Sequence, residues 1–217
     1  MHLLFDLDGT LTNSQLGITA CIRHAFQQLG QPLPGTALTE WIGPPLQESF
    51  TTALGCPERA AEAVGLYRDR FATVGLYENE VYAGIPEMLG ELQRSPHVAW
   101  VCTSKPRVFA QKIVEHFQLA PMFAGVYGSE LNGDRADKAD LIAHLLTQEQ
   151  IPTTAAIMIG DRHHDIHGAK QNGLRAIGVT WGFGSATELT EAGADMLCHT
   201  PKALRGAWRS LESCTKS

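Results

Sequence analysis

Apolar and polar positions change rhythm twice along this chain. Leu3, Leu4, Phe5 and Leu7 form a short apolar run that ends in charge at Asp8, which predicts a buried strand over residues 3–8. From Ser14 the spacing turns helical, with Leu16, Ile18, Ile22, Ala25, Phe26 and Leu29 recurring at three and four residues. Asn13 or Ser14 can cap the start of that helix and Gly30 can end it. Helical spacing continues through "TALTEWIG", which stops at Pro44-Pro45, and "LQESFTTALG", which stops at Gly55. It resumes in "PERAAEAVGLYRDRF", whose Pro57 suits a first helical turn. Residues 15 to about 80 therefore read as helices with no clear strand.

After "YAGIPEML" the rhythm alternates. Strands are predicted over residues 98–103, 123–127, 155–159, 176–180 and 196–198. Between and after them, helices are predicted over 106–117, 138–146, 165–172, 186–192 and 202–211. Strands alternating with helices at this spacing imply an α/β fold with a parallel, doubly wound sheet. The expected organisation is a Rossmann-like core of residues 1–14 and 82–217, with a small helical domain, residues 15–81, inserted after the first strand.

Composition narrows the function. Among 217 residues there are 23 acidic and 17 basic side chains, for a net charge of −6. Nonspecific nucleic-acid or anionic-membrane binding calls for a basic patch, so neither is expected. An anionic small substrate stays open, because a bound cation can invert the local sign. Cys21, Cys56, Cys102, Cys198 and Cys214 are odd in number and contain no C-x-x-C pair. They read as free thiols in a reducing compartment rather than a disulfide frame or zinc site. No apolar run approaches the roughly 20 residues of a membrane span, and Asp6 breaks the N-terminal apolar stretch as a signal-peptide core. A cytoplasmic protein is expected.

Chemistry-bearing residues gather at strand ends, where open parallel sheets bind their ligands. The first strand ends in Asp6 and Asp8, "VAWVCTS" in Thr103 and Ser104, and "AAIMIGD" in Asp161, with Asp165 four residues on. Lys138 starts the preceding helix. Each has an ordinary reading. Asp8 before Gly9 can be a turn residue, and Asp161 a helix N-cap. Asp165 can be solvated, Thr103 or Ser104 can cap the helix near Pro106, and Lys138 can be an exposed lysine that the helix dipole disfavours. Jointly they are harder to dismiss, since unrelated roles would not place hydroxyls, a lysine and four acids in this order at successive strand ends.

"DLDGTLT", "CTSKP", Lys138 and "GDRHHD" together resemble the haloacid dehalogenase-like hydrolases, mostly magnesium-dependent phosphatases acting through an aspartyl nucleophile. The resemblance covers nearly the whole chain, and the helical insert is similar to the family's first type of cap. "IGPPL", "GLYENEVYAGIPE" and "GSELNGDRADKADLI" look like the phosphoglycolate phosphatase-like branch and, within it, 5′-nucleotidase-like phosphatases. The resemblance implies a small phosphorylated metabolite as substrate and Mg2+ as cofactor. Asp6 would attack phosphorus and ligate the metal with the backbone carbonyl of Asp8, Asp161 and Asp165. The Asp8 carboxyl would protonate the leaving oxygen and then deprotonate water. Thr103, Ser104, Gly9 and Lys138 would bind the phosphoryl group, with Lys138 neutralising charge on it and on Asp6. Within the cap, Gly43, Arg68 and Arg70 are candidates for substrate recognition. Asn13 stands where many relatives carry an acid. His163, His164 and His167 lie beside the acidic loop, and hard magnesium does not favour imidazole. A sugar phosphomutase of the same superfamily and a non-catalytic binding or regulatory protein are the alternatives. The protein is expected to be a monomer or a homodimer.

Overall fold

The computed structural model describes residues 1–213, so Cys214 lies outside the described residues. The chain divides into two compact units, residues 1–12 with 81–213 and residues 13–80.

The first unit is built on six strands. These are β1 (His2–Phe5), then β4 (Val98–Pro106), β5 (Gly125–Ser129), β6 (Ala156–Gly160), β7 (Arg175–Val179) and β8 (Met196–Cys198), where β2 (Thr12–Asn13) and β3 (Glu80–Val81) are short strands at the two chain crossings. Their order across the sheet is β5-β4-β1-β6-β7-β8, all parallel, with Phe5 opposite Val101 on one side and Ile159 on the other. Helices connect them: α4 (Ile85–Gln93), α5 (Arg107–His116), α6 (Lys138–Gln148), α7 (His163–Gln171), α8 (Ala186–Glu191) and α9 (Leu204–Ser213). Strand alternation splits the apolar residues between two faces. Leu4, Cys102, Met158 and Ala176 join Leu141, Leu145, Ile166 and Leu189 from the helices in one core cluster. Leu3, Phe5, Val101, Ile157, Ile159 and Ile177 point the other way and are equally buried. Burial on both faces is why these strands read as continuous apolar runs.

The second unit is helical. It holds α1 (Gln15–Gln28), α2 (Leu46–Leu54) and α3 (Pro57–Arg70), with a 3₁₀ turn at Leu38–Trp41 and a π-helical turn at Phe71–Gly75. Phe26, Trp41 and Phe50 form its aromatic centre, with ring centroids 5.1–5.9 Å apart. Ser14 is the N-cap of α1 but makes no side-chain cap bond, and Asn13 just before it accepts from the Gln15 N–H at 3.3 Å through its Oδ1. Leu16, although in phase with the apolar stripe, is exposed.

The differences from the sequence reading are local. Helix α4 is an element beyond those predicted, and Ile85, Met88, Leu89 and Leu92 carry its helical spacing and are buried. Strand β4 runs three residues beyond Thr103, through a register shift against β5. "TALTEWIG" yields only a 3₁₀ turn. Cys21, Cys56, Cys102 and Cys198 are free thiols, and burial pushes Cys102 up to about 12. Among the described residues no helix is long and apolar enough to cross a membrane.

Candidate active site

The C-terminal edge of the sheet collects the acids that the sequence distributes. Asp6 follows β1 directly, and its N–H donates to the Ile159 carbonyl at 2.9 Å, so it still belongs to the parallel ladder. Asp161 follows β6 in the same way, two residues past Ile159. Asp165 lies in the first turn of α7. Carboxylate oxygens of Asp6, Asp161 and Asp165 all lie within 4.8 Å of one another, and all three residues are buried. Lys138, at the start of α6, is buried with them. Its Nζ lies 2.8 Å from Asp6 Oδ1 and 2.8 Å from Asp165 Oδ1, and donates to the Cys102 carbonyl at 3.0 Å. The neighbouring Asp137 caps α6 by accepting from the Ala139 and Asp140 N–H groups, so Lys138 is free to turn inward.

These contacts remove several of the ordinary readings. Asp161 is not the cap of α7, whose N-cap is Arg162. Instead the two oxygens of Asp161 accept from the Thr10 hydroxyl at 3.2 Å and the Phe183 N–H at 2.7 Å. Asp165 is not solvated. Its Oδ2 accepts from the Arg162 N–H at 3.1 Å, so one carboxylate both starts the helix and meets Lys138. Thr103 and Ser104 do not cap α5, because the strand continues to Pro106. Thr103 is buried two residues beyond the partner of Phe5.

Glycines make the crowding possible. Gly9 has φ +87°, and a Cβ there would sit 2.2 Å from Asp161 Oδ2. Gly182 and Gly184, flanking Phe183, leave no more room, since a Cβ would lie 2.4 Å from Asp161 Oδ2 and 1.9 Å from its carbonyl oxygen respectively. The sequence reading missed this loop; its signal was "WGFGS", a doubled glycine at the end of a strand. It also missed Lys105, whose Nζ lies 2.8 Å from Asp8 Oδ2.

Electrostatics show what the cluster can hold. Burial raises Asp6 to about 6, against the pull of Lys138 and with the push of Asp165. Burial, then Asp165 and Asp6, hold Asp161 well above the usual carboxylate range. Burial would lower Lys138, but Asp165 and Asp6 outweigh it and keep the ammonium charged. Three buried carboxylates facing one ammonium leave an excess of negative charge out of water, which is costly unless paired. A donor set made only of oxygens suits a hard dication. The residues present therefore fit a metal ion of that kind.

The remaining candidates sit elsewhere. His163 Nδ1 is 2.7 Å from Glu188 Oε1, and its ring lies 3.8 Å from His164 and 5.6 Å from His167. None of the three belongs to the metal-capable group found among the described residues. In the helical unit, Arg70 pairs with Glu78 through two contacts of 2.7 and 3.0 Å and reaches Cys21 Sγ at 3.2 Å. That engagement argues against its role as a substrate contact. Arg68 is half-buried, and Gly43 is exposed with φ +111°.

Comparison with known proteins follows the same lines. Residues 3–179 match the model of the family described as haloacid dehalogenase-like hydrolase. A 5′-nucleotidase of Pseudomonas aeruginosa is 48% identical over 206 residues, covering 94% of this chain and 93% of that protein. Tyrosine-protein kinase PtkA of Mycobacterium tuberculosis is 35% identical, covering 91% of this chain and 68% of its own. A crystal structure described as a predicted phosphatase from Clostridium acetobutylicum superposes with a TM-score of 0.92 at 39% identity, covering 96% and 98% of the two chains.

Proposed function

The chain belongs to the haloacid dehalogenase-like hydrolases, and as a phosphatase of that family we propose that it hydrolyses small phosphomonoesters by way of a phosphoryl group carried on Asp6. The observation that carries this reading is the Lys138 ammonium, 2.8 Å from both Asp6 and Asp165, inside a buried cluster of three carboxylates. A carboxylate cannot approach an anionic ester unless charge on both is met. Lys138 supplies one cation at the point of attack. A magnesium ion held by Asp6, Asp161, Asp165 and the Asp8 carbonyl would supply the rest of the neutralisation.

In the proposed sequence an Asp6 oxygen attacks phosphorus while the ester oxygen leaves. Asp8 gives that oxygen its proton as the bond breaks. Water then attacks the phosphorylated Asp6, and Asp8, now a carboxylate, takes the water's proton. Thr103, Ser104 and the backbone near Gly9 hold the phosphoryl oxygens. Lys138 meets the charge on Asp6 when phosphate departs. The name of the Pseudomonas relative supports nucleoside 5′-monophosphates as the first substrates to assay. In the helical unit, Gly43 and Arg68 are proposed to bear on substrate choice. The absence of disulfides among Cys21, Cys56, Cys102 and Cys198 supports a reducing compartment such as the cytoplasm.

A panel of phosphorylated metabolites, followed by released inorganic phosphate, tests this. The expected result is one free phosphate per substrate consumed, abolished by chelator and restored by magnesium. Transfer to an acceptor without free phosphate would favour the phosphomutase, and a rate indifferent to chelator would overturn the metal.

A further inference from the structure

The Lys105 ammonium is buried against the Asp8 carboxylate. Its Nζ lies 2.9 Å from Asp8 Oδ1 and 2.8 Å from Asp8 Oδ2, and the two side chains are only 7% and 11% exposed. A lysine held this way gives up both hydration and rotamer freedom, so the contact needs a reason. The chain also invests backbone in it. Opposite β5, Thr103 faces Gly128 but Pro106 faces Ser129, so Ser104 and Lys105 form extra residues in β4. Such bulges re-aim side chains. Two hydrogen bonds and a glycine hold this one. The Lys105 N–H donates to Thr103 Oγ1 at 3.3 Å, and the Ser129 hydroxyl donates to the Ser104 carbonyl at 2.8 Å. Gly128 lets the strands close up, since a Cβ there would lie 2.6 Å from the Lys105 carbonyl oxygen.

We infer that Lys105 is a positioning residue for Asp8. The ammonium, lying against both oxygens, fixes the plane of the carboxyl and aims it at the leaving oxygen. The inference rests on the proposed role of Asp8 as the proton donor. In that step the ester P–O bond breaks, the departing oxygen takes the proton of the Asp8 carboxyl, and the carboxylate left behind faces the Lys105 ammonium. The proton on Asp8 returns when water attacks the phosphorylated Asp6. Lys105 exchanges no proton. Its contribution is geometry, together with a fixed positive charge where negative charge appears.

A positioning role has a signature that structural support does not share. Donation of a proton matters for an alkoxide leaving group and hardly at all for a dinitrophenolate, which leaves unaided. The ratio kcat/KM covers steps up to the first irreversible one, here transfer to Asp6, so later hydrolysis does not obscure it. The experiment measures kcat/KM for an alkyl phosphate that the enzyme turns over and for 2,4-dinitrophenyl phosphate. Positioned general acids contribute about 10²–10⁴-fold. Lys105→Met should therefore lower the alkyl value roughly ten- to a hundredfold and the dinitrophenyl value less than about threefold. Lys105→Arg should recover most of the loss. Asp8→Asn should show the same selectivity more strongly. Equal losses on both substrates in Lys105→Met, with Asp8→Asn still selective, would overturn the positioning role and leave the role of Asp8 standing. An unselective Asp8→Asn would remove the premise and the inference together. If Lys105→Met does not fold, Ser129→Ala loosens the bulge while keeping the lysine. It should show a smaller but selective loss, and equal losses there would overturn the inference.

Discussion

Replacing Lys138 by methionine, close in length and without charge, should cost this protein both stability and rate. The ammonium is 2.8 Å from Asp6 and 2.8 Å from Asp165. At that distance and an effective dielectric near 20, each pair interacts by about 6 kcal/mol before desolvation is counted. Removing one partner of a buried pair costs about 3–5 kcal/mol net, because the other charge stays behind. At roughly 2–4 °C per kcal/mol for a chain of this size, the melting temperature without metal should fall by about 6–20 °C. A lysine read at a helix start from sequence predicts loss of rate more than of stability; burial adds the second loss. For the rate, if half of one pair's interaction is specific to the transition state, about 3 kcal/mol is lost, a fall of roughly a hundredfold. Circular dichroism melting in chelator and in magnesium, with initial rates on p-nitrophenyl phosphate, measures both. Magnesium should recover part of the stability and little of the rate. A variant that melts within about 2 °C of the parent in chelator and turns over within about threefold would refute the reasoning, on the same conversions.

Asp6→Asn should lose turnover while keeping the far-ultraviolet spectrum of the parent, since an amide is a far poorer nucleophile; near-parental activity would remove Asp6 from the proposed mechanism. Gly160→Ala would place a Cβ 2.2 Å from Asp165 Cγ, so the carboxylate must move. The magnesium concentration for half-maximal activity should then rise about ten- to a hundredfold, as for other displaced supports of a metal ligand, and an unchanged titration counts against Asp165 as part of the metal site. In the helical unit, Arg70 holds the Glu78 carboxyl below its usual range. The folded value is depressed, so the pair's contribution is present above the unfolded value of about 4.3 and is lost as pH falls through the folded one. Glu78→Gln should therefore cost up to about 1 kcal/mol at pH 7. Its melting-temperature gap from the parent should narrow as pH falls below the usual carboxylate range, and a gap that does not narrow would assign the difference to something other than this ion pair.

Much of the framework was legible because it depends on local rhythm. Leu3, Leu4 and Phe5, and later Ala156 to Ile159, read as strands because a sheet buried on both faces needs apolar residues at successive positions. Strands alternating with single crossover helices favour parallel pairing, and parallel strands bring their C-terminal ends to one edge. The sequence thus assigns Asp6, Asp161 and Lys138 to one place. Lys138 sits there with its ammonium between Asp6 and Asp165. Helix α4 is equally legible in principle, since its spacing at Ile85, Met88, Leu89 and Leu92 is local too.

What rhythm cannot carry is any property defined by two distant segments at once. Asp161 looks like a helix cap in sequence, and only the approach of Thr10 and Phe183 shows where its oxygens go. Arg70 looks like a free cation on a helix until Glu78 meets it. Gly182 and Gly184 matter because of the space that Asp161 occupies, 21 and 23 positions earlier in the chain, which no window of local pattern includes. Lys105 stands in the quoted "CTSKP" without a role, because its direction depends on a bulge against Gly128 and Ser129 and its partner lies 97 residues away. Sequence alone determined which groups reach the sheet edge, since that follows from periodicity and chain direction. Tertiary structure decided which charges touch, because a Coulomb or hydrogen-bond contact is set by ångströms that only packing supplies.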